Sequence, residues 1–317
     1  QAFFAAAAYR WSISERSPIV GAAGSCHMRA EHADADVVST LLARGWCKAR
    51  LPTDSAVTLT TALTTVGAAL QSLHRFHQAS DCARASFGAL SVAAFSERAQ
   101  LRYETNSSGN GASDENSSSL ADMCTNASLV QASASSSAVL AEVAHAALSG
   151  LHTTLLSPAE AQSRLDAFWY PAAEPPSEAP EGGREGSVSG IPCPAHEDAG
   201  LLTVIVDNES ALQVLSEAGS WLTVSLAPGE CVLLAGRALE RISRGKIAAC
   251  THRVCPASMS RTSLVFEALP CQVDVERCAR LECAAAASGS AAERDAYERA
   301  ATVLLGDNSA TRGCAVM

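Results

Sequence analysis

A chain of 317 residues with 48% hydrophobic and 18% charged residues is long enough to bury a real core and too apolar to be mostly disordered. Its formal net charge of −10 speaks against a broad basic surface, and no nucleic-acid partner is indicated. There is no run of about 18 apolar residues to suggest a membrane span, and aromatics at 5% leave the core volume to Leu, Val and Ala.

The twelve cysteines run from Cys26 to Cys314 without a C-x-x-C pair or a zinc-finger spacing. In a chain of this length they read as free thiols of a reducing, cytoplasmic compartment. Four N-x-S sequons (Asn106, Asn116, Asn126, Asn208) point faintly the other way, three of them in serine-rich sequence where the pattern arises by chance. The sequence opens on Gln1 rather than Met, and the apolar stretch 3–8 has no basic region before it, so no signal peptide is expected.

The N-terminal half has helical spacing. Val37, Val38, Leu41 and Leu42 followed by Gly45 predict a short helix with a glycine stop. Residues 46–51 predict a strand closed by Pro52. Leu59, Leu63, Val66, Leu70 and Leu73, in steps of four and three, predict a long helix capped by Thr53, Asp54 or Ser55. His74 and His77 follow at i, i+3; they could grip a metal, but the spacing reads as an exposed helical face. Residues 105–119 carry no periodicity, and a mobile insert is expected over about 105–136, then a helix over about 137–148.

The character changes near residue 165. Phe168-Trp169-Tyr170 is a short aromatic strand, and residues 171–190 form a linker rich in Pro, Glu and Gly. Strand-like runs follow at 201–206, 211–215, 221–226, 231–235, 247–250 and 263–269. Their length and β-branched content predict an antiparallel sandwich or barrel. Ser290 and Glu293 make a capping box for a terminal helix, with Gly306 as its stop. Three regions result: an α-rich part over 1–160, a β core over 161–272, and a helix and tail over 273–317.

The chemistry concentrates between His196 and Ser263. His196 and Asp198 are two apart, so on a strand both side chains leave by one face. His252 lies 56 residues after His196, at the end of another predicted strand. Two histidines and one carboxylate are the facial triad of non-haem Fe(II) sites, which leave coordination positions open. Arg261 and Ser263, again two apart, place a guanidinium beside a hydroxyl, a pair suited to a carboxylate. His32-Ala33-Asp34 repeats the H-x-D spacing without a later histidine or strand run, and serves as a control.

The segments HEDAGLLTVIV, ALQVLSEAGSWLTVSLAPGECVLLAG and THRVCPASMSRTSLVFEAL resemble the isopenicillin N synthase-like branch of the 2-oxoglutarate/Fe(II)-dependent dioxygenases, over about residues 164–269. The resemblance implies a fold that is mainly β with flanking helices: a double-stranded β-helix, or jelly roll, wrapped by N-terminal α-helices. It implies His196, Asp198 and His252 as iron ligands, and Arg261 and Ser263 as binders of the far carboxylate of 2-oxoglutarate. Tyr170, just before Pro171, matches a tyrosine that also contacts 2-oxoglutarate in many members. The implied enzyme is an oxidoreductase that couples oxidative decarboxylation of 2-oxoglutarate by O₂ to hydroxylation or desaturation of a small-molecule substrate.

This sequence departs from the pattern at several points. Phe168 stands where an asparagine is usual, Gly236-Arg237 replaces Gly-Asp, Arg244-Gly245 replaces Asn-Gly, and the segment between Tyr170 and His196 is long. Two other readings stay open: an oxidase of the same fold that takes its electrons from its substrate, and a non-catalytic interaction protein that keeps the fold. The last four residues, Cys314-Ala315-Val316-Met317, fit a C-a-a-X box of the farnesyl type, with membrane association through a prenylated Cys314 as the corresponding expectation.

Overall fold

The computed structural model describes residues 10–12, 26–29, 35–77, 83–87, 89–95, 97–104, 126–151, 163–173, 191–243 and 245–270. The His32-Ala33-Asp34 control, Asn106, Asn116, most of the expected linker, the terminal helix and the Cys314 box lie outside the described residues.

The N-terminal part contributes β1 (Arg10–Ser12), β2 (Cys26–Arg29), α1 (Ala35–Arg44), β3 (Trp46–Arg50), α2 (Thr53–His77), β4 (Ala83–Phe87), β5 (Leu90–Ala94), β6 (Ala99–Glu104) and α3 (Ala127–Gly150). The remainder is β7 (Ser163–Tyr170), β8 (Cys193–His196), β9 (Leu202–Asp207), β10 (Leu212–Leu215), β11 (Trp221–Thr223), β12 (Glu230–Ala235), α4 (Arg237–Ile242), β13 (His252–Val254) and β14 (Arg261–Ala268).

Two sheets form. A ten-stranded sheet runs β1-β2-β3-β12-β9-β14-β7-β6-β5-β4, and a four-stranded sheet runs β11-β10-β13-β8. Strands 7 to 14 switch between the two sheets at every connection except the β10–β11 hairpin, with β12-β9-β14-β7 facing β11-β10-β13-β8. All pairs are antiparallel except β2 with β3. Two facing antiparallel sheets fit the sandwich that the strand pattern predicts, and their strand order is the jelly roll that the resemblance implies.

The large sheet is covered on both faces, which explains its near-continuous apolar strands. Its outer face carries Leu165, Ala167, Trp169, Leu264 and Phe266 in one core with Leu59, Val66 and Leu70 of α2 and Leu140 and Val143 of α3. Its inner face carries Ile205, Val232 and Leu234 against Leu212, Val214 and Val254 of the small sheet. Since side chains alternate along a strand, Val204 and Val206 serve one core and Ile205 the other. Burying a side chain the size of Phe266 on such a face makes Phe→Ala worth about 3–5 kcal/mol.

Local signals set the element ends. Gly45 has φ +70°, and a Cβ there would lie 2.2 Å from the Ala248 carbonyl oxygen, so only glycine ends α1 this way. Asn126 caps α3 by accepting from the amides of Ser128 and Leu129. α2, over Thr53–Arg75, is long and apolar enough by length and composition to cross a membrane. It instead lays buried Leu59, Ala62, Val66, Leu70 and Leu73 on the large sheet.

Several expectations need correction. α3 begins at Ala127, ten residues before the expected helix, so 127–136 of the expected insert are helical. Ser133, Ser136 and Ser137, which made that stretch read as polar, are buried; Ser136 Oγ donates to the Ala132 carbonyl. Residues 247–250 are not a strand: the Ile247 amide donates to Ser243 Oγ and the Cys250 amide to the Ala235 carbonyl, which leaves no ladder. His74 is not exposed. It is buried, 4.9 Å ring to ring from Trp169, because that face of α2 lies on the outer side of the large sheet. The side chain of His77 lies outside the described residues. The β4–β6 meander was missed, although Leu90, Val92 and Ala94 alternate with half-exposed Ser91 and Ala93.

Candidate metal centre

His196 ends β8 and His252 opens β13, and the two are register partners across the small sheet. Pairing fixes their separation although they lie 56 positions apart in the chain; their ring centroids lie 4.3 Å apart. Asp198 is not on the strand, as the two-residue spacing suggested, but in the turn just after it. The turn brings the carboxylate back toward both rings: His196 Nε2 is 3.6 Å from Oδ1 and His252 Nε2 is 3.8 Å from Oδ2. One ligating atom from each of the three residues falls within 4.8 Å of the others.

The neighbours prepare this set for a cation. His252 Nδ1 lies 3.0 Å from the Cys250 carbonyl and His196 Nδ1 2.8 Å from the Pro194 carbonyl. A carbonyl can only accept, so each Nδ1 carries a proton, which leaves each Nε2, turned toward Asp198, as the atom a metal would take. Burial raises the Asp198 carboxyl, but the charges of His252 and His196, with hydrogen bonds from His196 and Thr203, outweigh it. They hold the group well below the usual carboxylate range, so it is ionised at neutral pH.

Backbone contacts hold the turn. The Arg237 amide donates to the Asp198 carbonyl at 2.9 Å, the Ala238 amide to the Gly200 carbonyl at 3.1 Å, and the Gly200 amide to Glu267 Oε1 at 2.7 Å. The Gly236-Arg237 departure therefore falls where the amide of residue 237, not its side chain, meets the turn. Thr203 Oγ1 donates to Asp198 Oδ2 at 2.5 Å. Glu197, between the two ligand positions, accepts from Thr251 Oγ1 at 3.0 Å and ties the turn to the start of β13.

These residues form part of the wall of an open cavity of roughly 760 Å³ between the sheets, its volume partly in solvent. Arg261 and Ser263 line it from β14, both buried, and Tyr170 lines it from β7 as the register partner of Arg261. The Arg261 guanidinium carbon lies 5.8 Å from the Tyr170 ring centroid, and Phe168 stacks on Tyr170 at 6.1 Å. All six residues singled out in the sequence thus meet around one cavity.

Other polar residues of this wall were not anticipated. Arg102 grips Asp166 with two bonds of 2.7 and 3.1 Å, and Gln100 donates to the same carboxylate at 3.3 Å. Arg164 pairs with Glu267 at 2.5 Å. Burial, with the nearby charges of Asp198 and Asp166, pushes Glu267 up to about 7 despite Arg164 and the Gly200 amide. Beside the wall residue Arg261, Asp207, opposite Ser263 on β9 and not itself part of the lining, pairs with its guanidinium at 2.8 Å. The readable signal was period two. Thr203, Ile205 and Asp207 share one face of β9, and Val265 and Glu267 continue the Arg261–Ser263 face of β14.

Comparison with known proteins agrees with this geometry. Residues 174–270 match the 2OG-Fe(II) oxygenase superfamily. Over 81 residues, a quarter of its length, the chain is 36% identical to flavanone 3-dioxygenase 2 of Oryza sativa subsp. japonica, of which the match spans 23%. Among solved structures, a full-length Neurospora crassa protein in complex with alpha-KG aligns at TM-score 0.51 and 14% identity, covering 74% of this chain and 77% of that one. A 2OG-Fe(II) oxygenase family protein from Caulobacter crescentus aligns at 0.50 and 16%, covering 74% and 80%. At such identities these structures speak for the fold.

The other sequons and cysteines have structural uses. Asn126 is the cap of α3, and Asn208 Oδ1 accepts from the Thr262 amide at 2.7 Å. Among the described residues there is no disulfide; Cys47, Cys231 and Cys250 are buried, and burial pushes the thiols of Cys231 and Cys250 up to about 12.

Proposed function

We propose that this chain is a 2-oxoglutarate- and Fe(II)-dependent oxygenase acting on a small molecule. The observation that carries the reading is the donor set: two imidazoles and one ionised carboxylate converge on a cavity whose wall also holds a guanidinium and a hydroxyl. Two nitrogens and one oxygen fit Fe(II) and leave room for further ligands. His196, Asp198 and His252 would hold the metal, which when bound supplies the O₂ activation that couples decarboxylation of 2-oxoglutarate to oxidation of the substrate.

The chain's own residues do the rest. Thr203 and the carbonyls of Pro194 and Cys250 orient the ligating atoms before a metal arrives. Ser263 and Arg261 give the far carboxylate of the cosubstrate a place on β14, beside Tyr170. The Arg102–Asp166 and Arg164–Glu267 pairs line the same cavity and offer a substrate polar groups that are already oriented.

The deciding experiment is uncoupled turnover. Protein loaded anaerobically with Fe(II), given 2-oxoglutarate and then air, should release succinate, and protein without iron should not. Oxygen consumption with a substrate but no 2-oxoglutarate would replace this reading with the substrate-driven oxidase. Iron binding with neither activity would leave the interaction protein.

A further inference from the structure

Three arginines line the cavity, and each already carries a carboxylate of the chain itself. Arg102 holds Asp166 at 2.7 Å, Arg164 holds Glu267 at 2.5 Å, and Arg261 holds Asp207 at 2.8 Å. The third pair matters most, because Arg261 is the cation that a dicarboxylate cosubstrate would seek. Its side chain is 3% exposed and that of Asp207 2%, so little water screens them.

The geometry shows how the guanidinium is divided. Nε and Nη2 both donate to one oxygen, Asp207 Oδ2, at 3.3 and 2.8 Å. Nη1 points the other way and donates to Ser263 Oγ at 3.3 Å. One edge of the fork is therefore engaged, and an incoming carboxylate has the Nη1 side together with the serine hydroxyl. Sheet register keeps it so: Asp207 sits opposite Ser263 on β9, and Arg261 opposite Tyr170 on β7.

We propose that Asp207 sets how strongly, and on which side, Arg261 holds the far carboxylate of 2-oxoglutarate. The proposal rests on the cosubstrate reading above. A carboxylate arriving at a lone buried guanidinium meets a full positive charge; arriving here it meets a neutral pair whose negative end is close by. The attraction is reduced and a like-charge repulsion is added. Burial already raises the Asp207 carboxyl above its ordinary value, Arg261 offsetting this only in part and Glu209 adding to it. The far carboxylate should accordingly contribute much less to binding than an unpaired arginine would allow.

The test compares 2-oxoglutarate with 2-oxopentanoate, which keeps the keto-acid end and carries a methyl in place of the far carboxylate. Both are titrated by calorimetry into the Mn(II)-loaded wild type and Asp207→Asn. The wild type should prefer 2-oxoglutarate by less than about tenfold. In Asp207→Asn, where the amide oxygen still accepts from Arg261 but the charge is gone, the preference should rise at least about tenfold further. A smaller rise overturns the proposal and leaves the cosubstrate reading intact. Should the variant not fold, the wild type decides alone: a preference of about tenfold or more overturns the proposal, and a smaller one supports it. Failure of 2-oxoglutarate to bind either protein removes the cosubstrate reading and the proposal with it.

Discussion

His252 and His196 are partners on one rung of the small sheet, with ring centroids 4.3 Å apart and both Nε2 atoms turned toward Asp198. The rung is a backbone device, so removing one ring should leave the sheet in place and remove only a ligand. His252→Ala and Asp198→Ala should each bind Fe(II) more than about 100-fold more weakly, a larger loss than outer-shell changes give. His32→Ala, from the other H-x-D, should bind as the wild type does. Anaerobic titration with iron quantitation checks this, and iron retained at full affinity by His252→Ala would sink the assignment.

Thr203 extends the prediction to a residue that touches the ligand and not the metal. Its hydroxyl donates to Asp198 Oδ2 at 2.5 Å, and valine fills the same volume without that donor. Thr203→Val should fold normally and lose about 10- to 100-fold in Fe(II) affinity. Unchanged affinity in a competition titration would show that the turn orients Asp198 unaided.

Gly236 tests the turn itself. A Cβ there would lie 2.2 Å from the Gly200 carbonyl oxygen and 3.1 Å from that of Asp198, both backbone atoms that cannot swing aside. Gly236→Ala should displace the Asp198 turn, weaken metal binding, and destabilise the fold by about 1–3 kcal/mol. Gly245→Ala is the comparison. At φ +74° with nothing within 4 Å, it meets backbone strain alone, about 1–2 kcal/mol, and should keep its metal. Urea unfolding and metal titration together separate the two.

Arg261 and Asp207 predict a stability effect distinct from any effect on binding. Arg261→Ala leaves a buried carboxylate without its partner and should destabilise the chain by about 3–5 kcal/mol. Adding Asp207→Asn removes the stranded charge and should recover a large part of that loss, a coupling that a double-mutant cycle in urea resolves. Additive effects of the two changes would mean that the pair is not held in solution.

Much of this protein was legible along the chain because the relevant patterns are short. Run length and β-branched content marked β9, β10, β12 and β14, a run of aromatics marked β7, and steps of three and four marked α2. His196, Asp198, His252, Arg261 and Ser263 were readable as chemistry from residue type and spacing alone. The serine-rich start of α3 was not, because serine reads as loop until a neighbouring surface buries it.

What the sequence could not determine is how charges are shared once strands distant in the chain lie side by side. Asp207 and Arg261 are 54 residues apart, Arg102 and Asp166 64. No periodicity links such positions; the order of strands β9-β14-β7-β6 does. Residue types and spacing by themselves predicted a metal-ligating triad and a carboxylate-binding arginine. Only the tertiary structure decided that the arginine is already paired, because ion pairing depends on distance through the sheet rather than along the chain.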